Sequence, residues 1–425
     1  MKPYFEARII RGNALALPLA DASVDLVVTS PPYFGLRSYQ DGGEHYDGQI
    51  GSEATPAEFV DALIAATREM VRVLKPSGSI WVNLGDKYAG VNIGTTSGHQ
   101  GGTISASAYD RHIGQGRETR DGGVRQKSLI GVPWRYALRC IDDLGLILRA
   151  EVIWSKPNGL PESVTDRVRR SHETWFHFTK APKYYSAVDE IREEYDGAQP
   201  RTAKTWDERK SLGHPLRHGN TGGGASLGVP VSMAYNALGK LPGSVWTIPT
   251  QPLKVPAELG IDHFAAFPME WPRRIIQGWS PAGVCTACGE GRRPVTDRKP
   301  MEWRPSPTIA GRQAPATARK PMSGTMLSPA ETTITGYVCA CPDATAPTTP
   351  AVVLDGFGGT GTTALVAKAL GRHGISVDMS ADYCRLAQWR TTDPGELARA
   401  MEVEKPVVQV DGQISMLDLL DGEPA

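Results

Sequence analysis

Ala351-Val-Val-Leu-Asp355-Gly-Phe-Gly-Gly-Thr-Gly-Thr-Thr363, continued by Ala364–Leu370 (ALVAKAL), Gly371 and Gly374–Asp378 (GISVD), is the stretch that decides the fold. An apolar run broken by glycines, a helical stretch and a second apolar run closed by an acid spell strand, turn, helix, strand. That is half of a doubly wound α/β domain. Gly359-Thr-Gly361-Thr-Thr-Ala364 satisfies G-x-G-x-x-A, and Asp378 closes the next strand 19 residues after Gly359. Glycines let a backbone approach a ligand, and an acid at that strand end accepts hydrogen bonds from ribose hydroxyls. The loop has no lysine to reach phosphates, which excludes a P-loop and leaves NAD and S-adenosylmethionine.

Position separates the two. Only 47 residues follow Asp378, whereas a dinucleotide domain needs further βα units after its acid. The other strands must come from earlier in the chain, so the sheet is circularly permuted, its cofactor half C-terminal and its catalytic half N-terminal. Ser23–Thr29 (SVDLVVT) is one such strand, broken by Ser30-Pro31-Pro32-Tyr33. Pro56–Asp86 is a further α/β unit, in which the helix AEFVDALIAATREMVRVL stops at Lys75-Pro-Ser-Gly78 and yields to the strand SIWVNLGD.

The Ser-Pro-Pro-Tyr segment suits one kind of chemistry. An exocyclic amino group on cytosine or adenine is a poor nucleophile, because its lone pair is delocalised into the ring. Methylating it requires acceptors for its N–H groups that aim the lone pair at a methyl sulfonium. Ser30 Oγ and the Pro31 carbonyl are such acceptors, Pro31 and Pro32 fix the backbone, and Tyr33 offers a ring to a base taken out of the duplex. A proline pair after a strand is also a common chain turn, so the four residues alone leave both readings open.

Together these motifs resemble the beta class of amino-methylating, site-specific DNA methyltransferases, the cytosine-N4 and adenine-N6 family, in a phage-type form. The family's D-P-F-x-G-S-G-T-T stands here as Asp355–Thr363, with Gly356 for the usual Pro and Thr360 for the usual Ser. Thr29-Ser30-Pro31-Pro32-Tyr33 resembles the cytosine-N4 signature; adenine-N6 enzymes more often carry D-P-P-Y. His263-Phe-Ala-Ala-Phe267-Pro268, with Pro272-Arg273 and Ile275-Ile276, resembles the cofactor-side motif, and Ile153–Ser163 through Asp166-Arg167 and His172-Glu173 a segment common in phage-type members. One departure is Asn13 after Gly12, where an acid is usual.

The resemblance implies a Rossmann-like S-adenosylmethionine-dependent sheet acting on double-stranded DNA. It makes Ser30, Pro31, Pro32 and Tyr33 catalytic and gives the cofactor Asp355, Phe357, Gly359, Gly361, Thr362, Thr363 and Asp378. It also implies direct methyl transfer, since no cysteine has the Pro-Cys context of carbon-5 chemistry. Asp86, at the end of NLGD, either reaches the site or serves as a cap. The competing classes are an NAD-dependent oxidoreductase, for which the chain order is wrong and SPPY has no use, and a catalytically idle DNA-binding relative.

Composition bounds the rest. The 425 residues carry 46 basic and 46 acidic side chains, and 40% are hydrophobic, an ordinary globular make-up. No apolar run nears the roughly 18 residues of a membrane span, and MKPYFEARIIRGN shows no export signal, so a cytoplasmic, reduced protein is expected. Cys285-Thr-Ala-Cys288-Gly and Cys339-Ala-Cys341 form two close pairs suited to tetrahedral Zn²⁺ in a zinc-ribbon-like insertion; Cys140 and Cys384 read as core.

The expected division is a catalytic half at 1–182 with a flexible insertion at 89–128, and target recognition at 183–260. The cofactor half follows at 261–280 and 351–392, with the cysteine insertion at 281–350 and an acidic tail at 393–425. Zero net charge hides two basic segments, Arg111–Arg139 and Glu290–Lys320, each +5 and each able to meet phosphates. Gln413-Ile-Ser-Met416-Leu417-Asp418 resembles peptides that bind sliding clamps.

Overall fold

The computed structural model describes residues 5–35, 40–41, 44–45, 48–90, 124–159, 162, 164–194, 238–253, 255–261, 266–299, 302–305, 324–328, 331–339, 341 and 345–403. Most of the 89–128 insertion, residues 195–237 of the expected recognition region, Pro161, Ser163, His263–Ala265 and the Gln413–Asp418 peptide lie outside them. The chain divides into two compact units. One comprises Met1–Tyr184, Val245–Ile276 and Pro350–Ala425, the other Tyr185–Ser244 and Gln277–Thr349. Among the described residues no helix is long and apolar enough to cross a membrane.

Among the described residues, the main sheet of the first unit has eight strands: β1 (Ala7–Arg11), β2 (Val24–Thr29), β3 (Leu74–Leu84), β4 (Ile147–Ser155), β5 (His172–Thr179), β6 (Val245–Thr247), β7 (Val352–Asp355) and β8 (His373–Asp378). Their order in the sheet is β1-β8-β7-β2-β3-β5-β4-β6. Seven run parallel and β5 alone is reversed. The two strands at the centre, β7 and β2, come from opposite ends of the chain. β6 falls inside the stretch read as target recognition but is an edge strand of this sheet.

Local chemistry accounts for the elements. Helix α1 (Pro56–Val73) starts at a capping box, Glu58 N–H donating to Thr55 Oγ1 and Thr55 N–H to Glu58 Oε2. It buries Phe59, Val60, Leu63, Ile64 and Met70 on one face. Every residue of β2 is buried, as a parallel strand covered on both faces requires. Its acid, Asp25, is accommodated because Lys75 Nζ lies 2.7 Å away and Val352 N–H donates to its other oxygen. That pairing draws Leu74–Gly78 into extended backbone beside β2, so β3 begins directly after α1 rather than after Gly78.

A column of stacked rings stiffens the other side of the sheet. Trp81 lies 4.4 Å from His177, Trp175 4.8 Å from Trp271, and Trp246 4.9 Å from Trp271. Burial drives the His177 imidazole down to about 3, so it stacks as a neutral ring. The remaining helices are α2 (Val132–Asp142), α3 (Glu270–Trp279), α4 (Thr362–Ala369), α5 (Ala381–Thr392) and α6 (Pro394–Met401). Helix α6 occupies the start of the segment read as an acidic tail, and its Glu396, Ala398 and Ala400 are buried. Cys140 is buried, its thiol pushed up to about 12, whereas Cys384 is only half-buried.

In the second unit, Arg293–Lys299 pairs antiparallel with Glu331–Val338, Glu302–Pro305 with Gly324–Ser328, and Val284–Cys285 with Thr348–Thr349.

Candidate active site and metal centre

Because β5 alone is reversed, seven carboxyl ends and the amino end of β5 share one edge of the sheet, the edge where open α/β sheets bind ligands. Ser30–Tyr33 leave β2 there and the glycine loop leaves β7 beside them. Asp355 joins the two. It is 1% exposed; Thr29 Oγ1 donates to one carboxylate oxygen at 2.6 Å and Thr363 Oγ1 to the other at 2.9 Å. Phe357 N–H also donates to it at 3.1 Å. Burial pushes the Asp355 carboxyl up to about 6, against the opposing pull of those donors.

The cofactor candidates therefore divide. Asp355, Thr362 and Thr363 are turned inward and brace the loop, while Phe357, Gly359 and Asp378 are partly open at the edge. Asp378 accepts Gly359 N–H at 2.8 Å and Ser380 N–H at 2.9 Å, which fixes it at the loop's rim. The loop fits a close-lying ligand. A Cβ at Gly359 would meet only Phe357 O, at 3.9 Å, and would project into the open space a ligand needs. Gly361 has φ +73, and a Cβ there would lie 2.7 Å from Ala387. Asn13 caps its own turn, its Oδ1 accepting Leu15 N–H.

Around the catalytic candidates the fold gathers three residues not assigned a role by motif. Ser30 Oγ donates to Asn83 Oδ1 at 3.3 Å, and Tyr33 Oη lies 2.7 Å from the same atom. Tyr33 Oη also lies 2.6 Å from Glu173 Oε2, so its single proton serves one of the two acceptors at a time. Glu173 is ion-paired with Lys156, whose ammonium sits 4.1 Å from the Trp154 ring. The Tyr33 ring lies against Gly85, where a Cβ would come within 2.6 Å of it. Pro31 is buried and Pro32 half-buried. Asp86 turns away to cap α2, accepting Gly131 and Val132 N–H at 3.0–3.2 Å. Lys156 and Glu173 sat in the quoted phage-type segment; Asn83 had only its place near a strand end as a signal.

In the second unit the Sγ atoms of Cys285, Cys288, Cys339 and Cys341 all lie within 4.8 Å of one another. Sulfurs on one tetrahedral zinc stand about 3.8 Å apart, so the set fits a single ion. The first pair forms a knuckle, with Gly289 N–H donating to Cys285 O at 2.8 Å and Gly289 at φ +73. The Cys288 backbone N–H, then that of Ala287, draws the Cys285 thiol down to about 6.

The profile of a family described as DNA methylases matches residues 24–285 and 347–389. The chain belongs to this DNA methylase family. That membership removes the oxidoreductase reading. The chain is 39% identical over 201 residues to type II methyltransferase M.Cfr9I of Citrobacter freundii, a match spanning 47% of this chain and 63% of that protein. It is 40% identical over 191 residues to M.SmaI of Serratia marcescens, spanning 44% and 60%. The matches thus cover about three fifths of the relatives' length. Among solved structures, PvuII DNA methyltransferase, titled cytosine-N4-specific, superposes with TM-score 0.48 at 18% identity over 95% of this chain and 96% of that one, a likeness too loose to bear on function.

Proposed function

We propose that this methylase is a site-specific, type II DNA methyltransferase that moves a methyl group from S-adenosylmethionine to N4 of a cytosine turned out of duplex DNA. One juxtaposition carries the reading: β2 and β7 are paired neighbours, and their carboxyl ends bear Ser30–Tyr33 and the glycine loop. Phe357, Gly359 and Asp378 would line the cofactor, with Asp355, Gly361, Thr362 and Thr363 shaping the loop that carries it; the cofactor would supply an electrophilic methyl on sulfonium. Ser30 spends its own proton on Asn83, which leaves its lone pairs to accept an N–H of the base, with the Pro31 carbonyl accepting the other. Tyr33, anchored through Asn83 and Glu173, presents its ring to the base. Catalysis on this reading is positioning and fixed dipoles, with no covalent enzyme intermediate.

Cytosine-N4 is favoured over adenine-N6, the alternative, because Ser30 stands where adenine enzymes more often carry Asp. The type II character rests on the relatives' names, and with it a role in restriction-modification or phage DNA protection. Cys285, Cys288, Cys339 and Cys341 are proposed to hold one structural zinc, and 183–260 to read the target, with 89–128 and 281–350 closing on DNA. Gln413–Asp418 is proposed as a sliding-clamp peptide, to be tested by binding of the peptide to a bacterial clamp.

The test incubates the protein with duplex DNA and labelled S-adenosylmethionine, then separates the nucleosides. Label in N4-methylcytosine is the expected result, and label in N6-methyladenine selects the alternative. Ser30→Ala should abolish transfer while sparing cofactor affinity; a Ser30→Ala enzyme working at the wild-type rate refutes the assignment. Cofactor binding without any turnover by the wild type would mark an idle relative.

A further inference from the structure

Arg390, on α5, is 2% exposed and lies against the glycine loop. Its Nη1 donates to Thr360 O at 3.1 Å, Thr360 Oγ1 at 2.9 Å and Thr362 Oγ1 at 2.8 Å. Its Nε donates to Glu396 Oε2 at 3.0 Å. Glu396, 4% exposed, is delivered by α6, whose N-cap Asp393 accepts Glu396 N–H at 2.8 Å, and its other oxygen meets Arg399 at 2.7 Å.

A buried ion pair is weak evidence of stability, because desolvation consumes most of the Coulomb attraction; apolar side chains of like volume often do as well. What an apolar pair could not do is tie α6 to the loop turn through one rigid fork, Nε donating to Glu396 while the two N–H groups of Nη1 are shared among three oxygens of Thr360 and Thr362. Those oxygens flank Gly361, the residue packed against Ala387. The loop is therefore pinned by α5, which supplies both Ala387 and Arg390.

We propose that Arg390, set by Glu396, is a positioning residue for cofactor binding. It holds the glycine loop in its binding shape before the cofactor arrives, which makes α6 part of the cofactor site. The proposal rests on the assignment of this loop to S-adenosylmethionine. Without the clamp the loop populates other conformations, and apparent affinity falls by the fraction still competent. Once the site is filled, the loop is ordered by its ligand and the transfer step proceeds from the same geometry.

The test is the double variant Arg390→Met with Glu396→Leu, which removes both charges together and leaves neither buried alone. Calorimetric titration of the full-length protein with S-adenosylmethionine should show Kd weakened about tenfold or more. The KM for the cofactor should rise in parallel, with kcat at saturation within about threefold of wild type. Arg390→Lys, which keeps the charge and loses the fork, should fall between. If the double variant does not fold, Thr360→Val carries the same expectation at smaller size, as it removes one anchor and leaves the ion pair whole. A folded variant that binds the cofactor like wild type overturns the proposal, as does loss of kcat with unchanged KM. A wild-type protein that binds no S-adenosylmethionine instead overturns the assignment of the loop.

Discussion

Replacing Asp355 by Asn isolates the energetic consequence of burying an acid between the two halves of the site. A carboxyl raised by burial from 3.8 to about 6 is disfavoured, when ionised in the fold, by about 3 kcal/mol relative to the unfolded chain. Below about pH 4 both states hold the proton. Between about 4 and 6 the folded state holds it and the unfolded chain has lost it, so stability falls as pH rises. Above about 6 both are ionised and the full penalty stands.

Asn reproduces the protonated form. Its amide can donate to Thr363 Oγ1, since the Thr363 hydroxyl has Val28 O within 3.2 Å as a second acceptor, and its carbonyl still receives Thr29 and Phe357. The assay is urea unfolding of wild type and Asp355→Asn at several pH values from 4 to 8, with the difference between the two taken at each pH to cancel every other titrating group. The variant should gain on wild type by up to about 3 kcal/mol across that range, most of it between pH 4 and 6. A difference that stays flat, or that moves in favour of wild type as pH rises, refutes the account of Asp355 as an acid raised by burial.

The other expectations concern close contacts and the cysteines. Gly85→Ala would bring a Cβ within 2.6 Å of the Tyr33 ring; about a hundredfold loss of kcat on duplex DNA is expected from such displacement, with cofactor Kd unchanged by calorimetry. Gly358→Ala would place a Cβ 1.8 Å from Ser376 Oγ and should cost about 1–3 kcal/mol in denaturant unfolding. That hydroxyl is buried without a hydrogen-bond partner among the described residues, so Ser376→Ala should be tolerated alone and should recover part of the loss in combination. Protein purified without chelators should contain one zinc per chain by elemental analysis, and Cys339→Ser should lose it; absence of zinc from the unaltered protein removes the metal centre.

The two motifs at the heart of the site were legible because each is local. A glycine turn between strand and helix, and a proline pair ending a strand, constrain the backbone over a few residues whatever surrounds them. The alternation of helix and strand likewise announced a permuted sheet. The Asn83–Tyr33–Glu173–Lys156 chain was hidden because Asn83 and Glu173 lie 50 and 140 residues from Tyr33 and the members meet through the successive pairing of β2, β3, β5 and β4. Asp86 was ambiguous for a related reason: whether a carboxylate at a strand end faces a ligand or caps a helix depends on where α2 begins, 45 residues on. Helix α6 was masked by its composition, since an acid counts toward a solvated tail unless a buried arginine awaits it.

The bond between Thr29 and Asp355 spans 326 positions of sequence, and this has a bearing on how the protein is born. At about 5–20 residues per second of synthesis, about 15–65 seconds separate the emergence of β2 from that of its central neighbour. During that interval β2 has one hydrogen-bonded neighbour, β3, and an edge of unpaired backbone where β7 belongs, a state in which hydrophobic strands invite wrong pairings. The same delay has a protective side. A chain halted between Glu173 and the glycine loop carries Ser30–Tyr33 with Asn83, Lys156 and Glu173 yet lacks the strand and loop that stand beside them. The centre of the sheet is thus completed in one late event, when β7 and β8 are added.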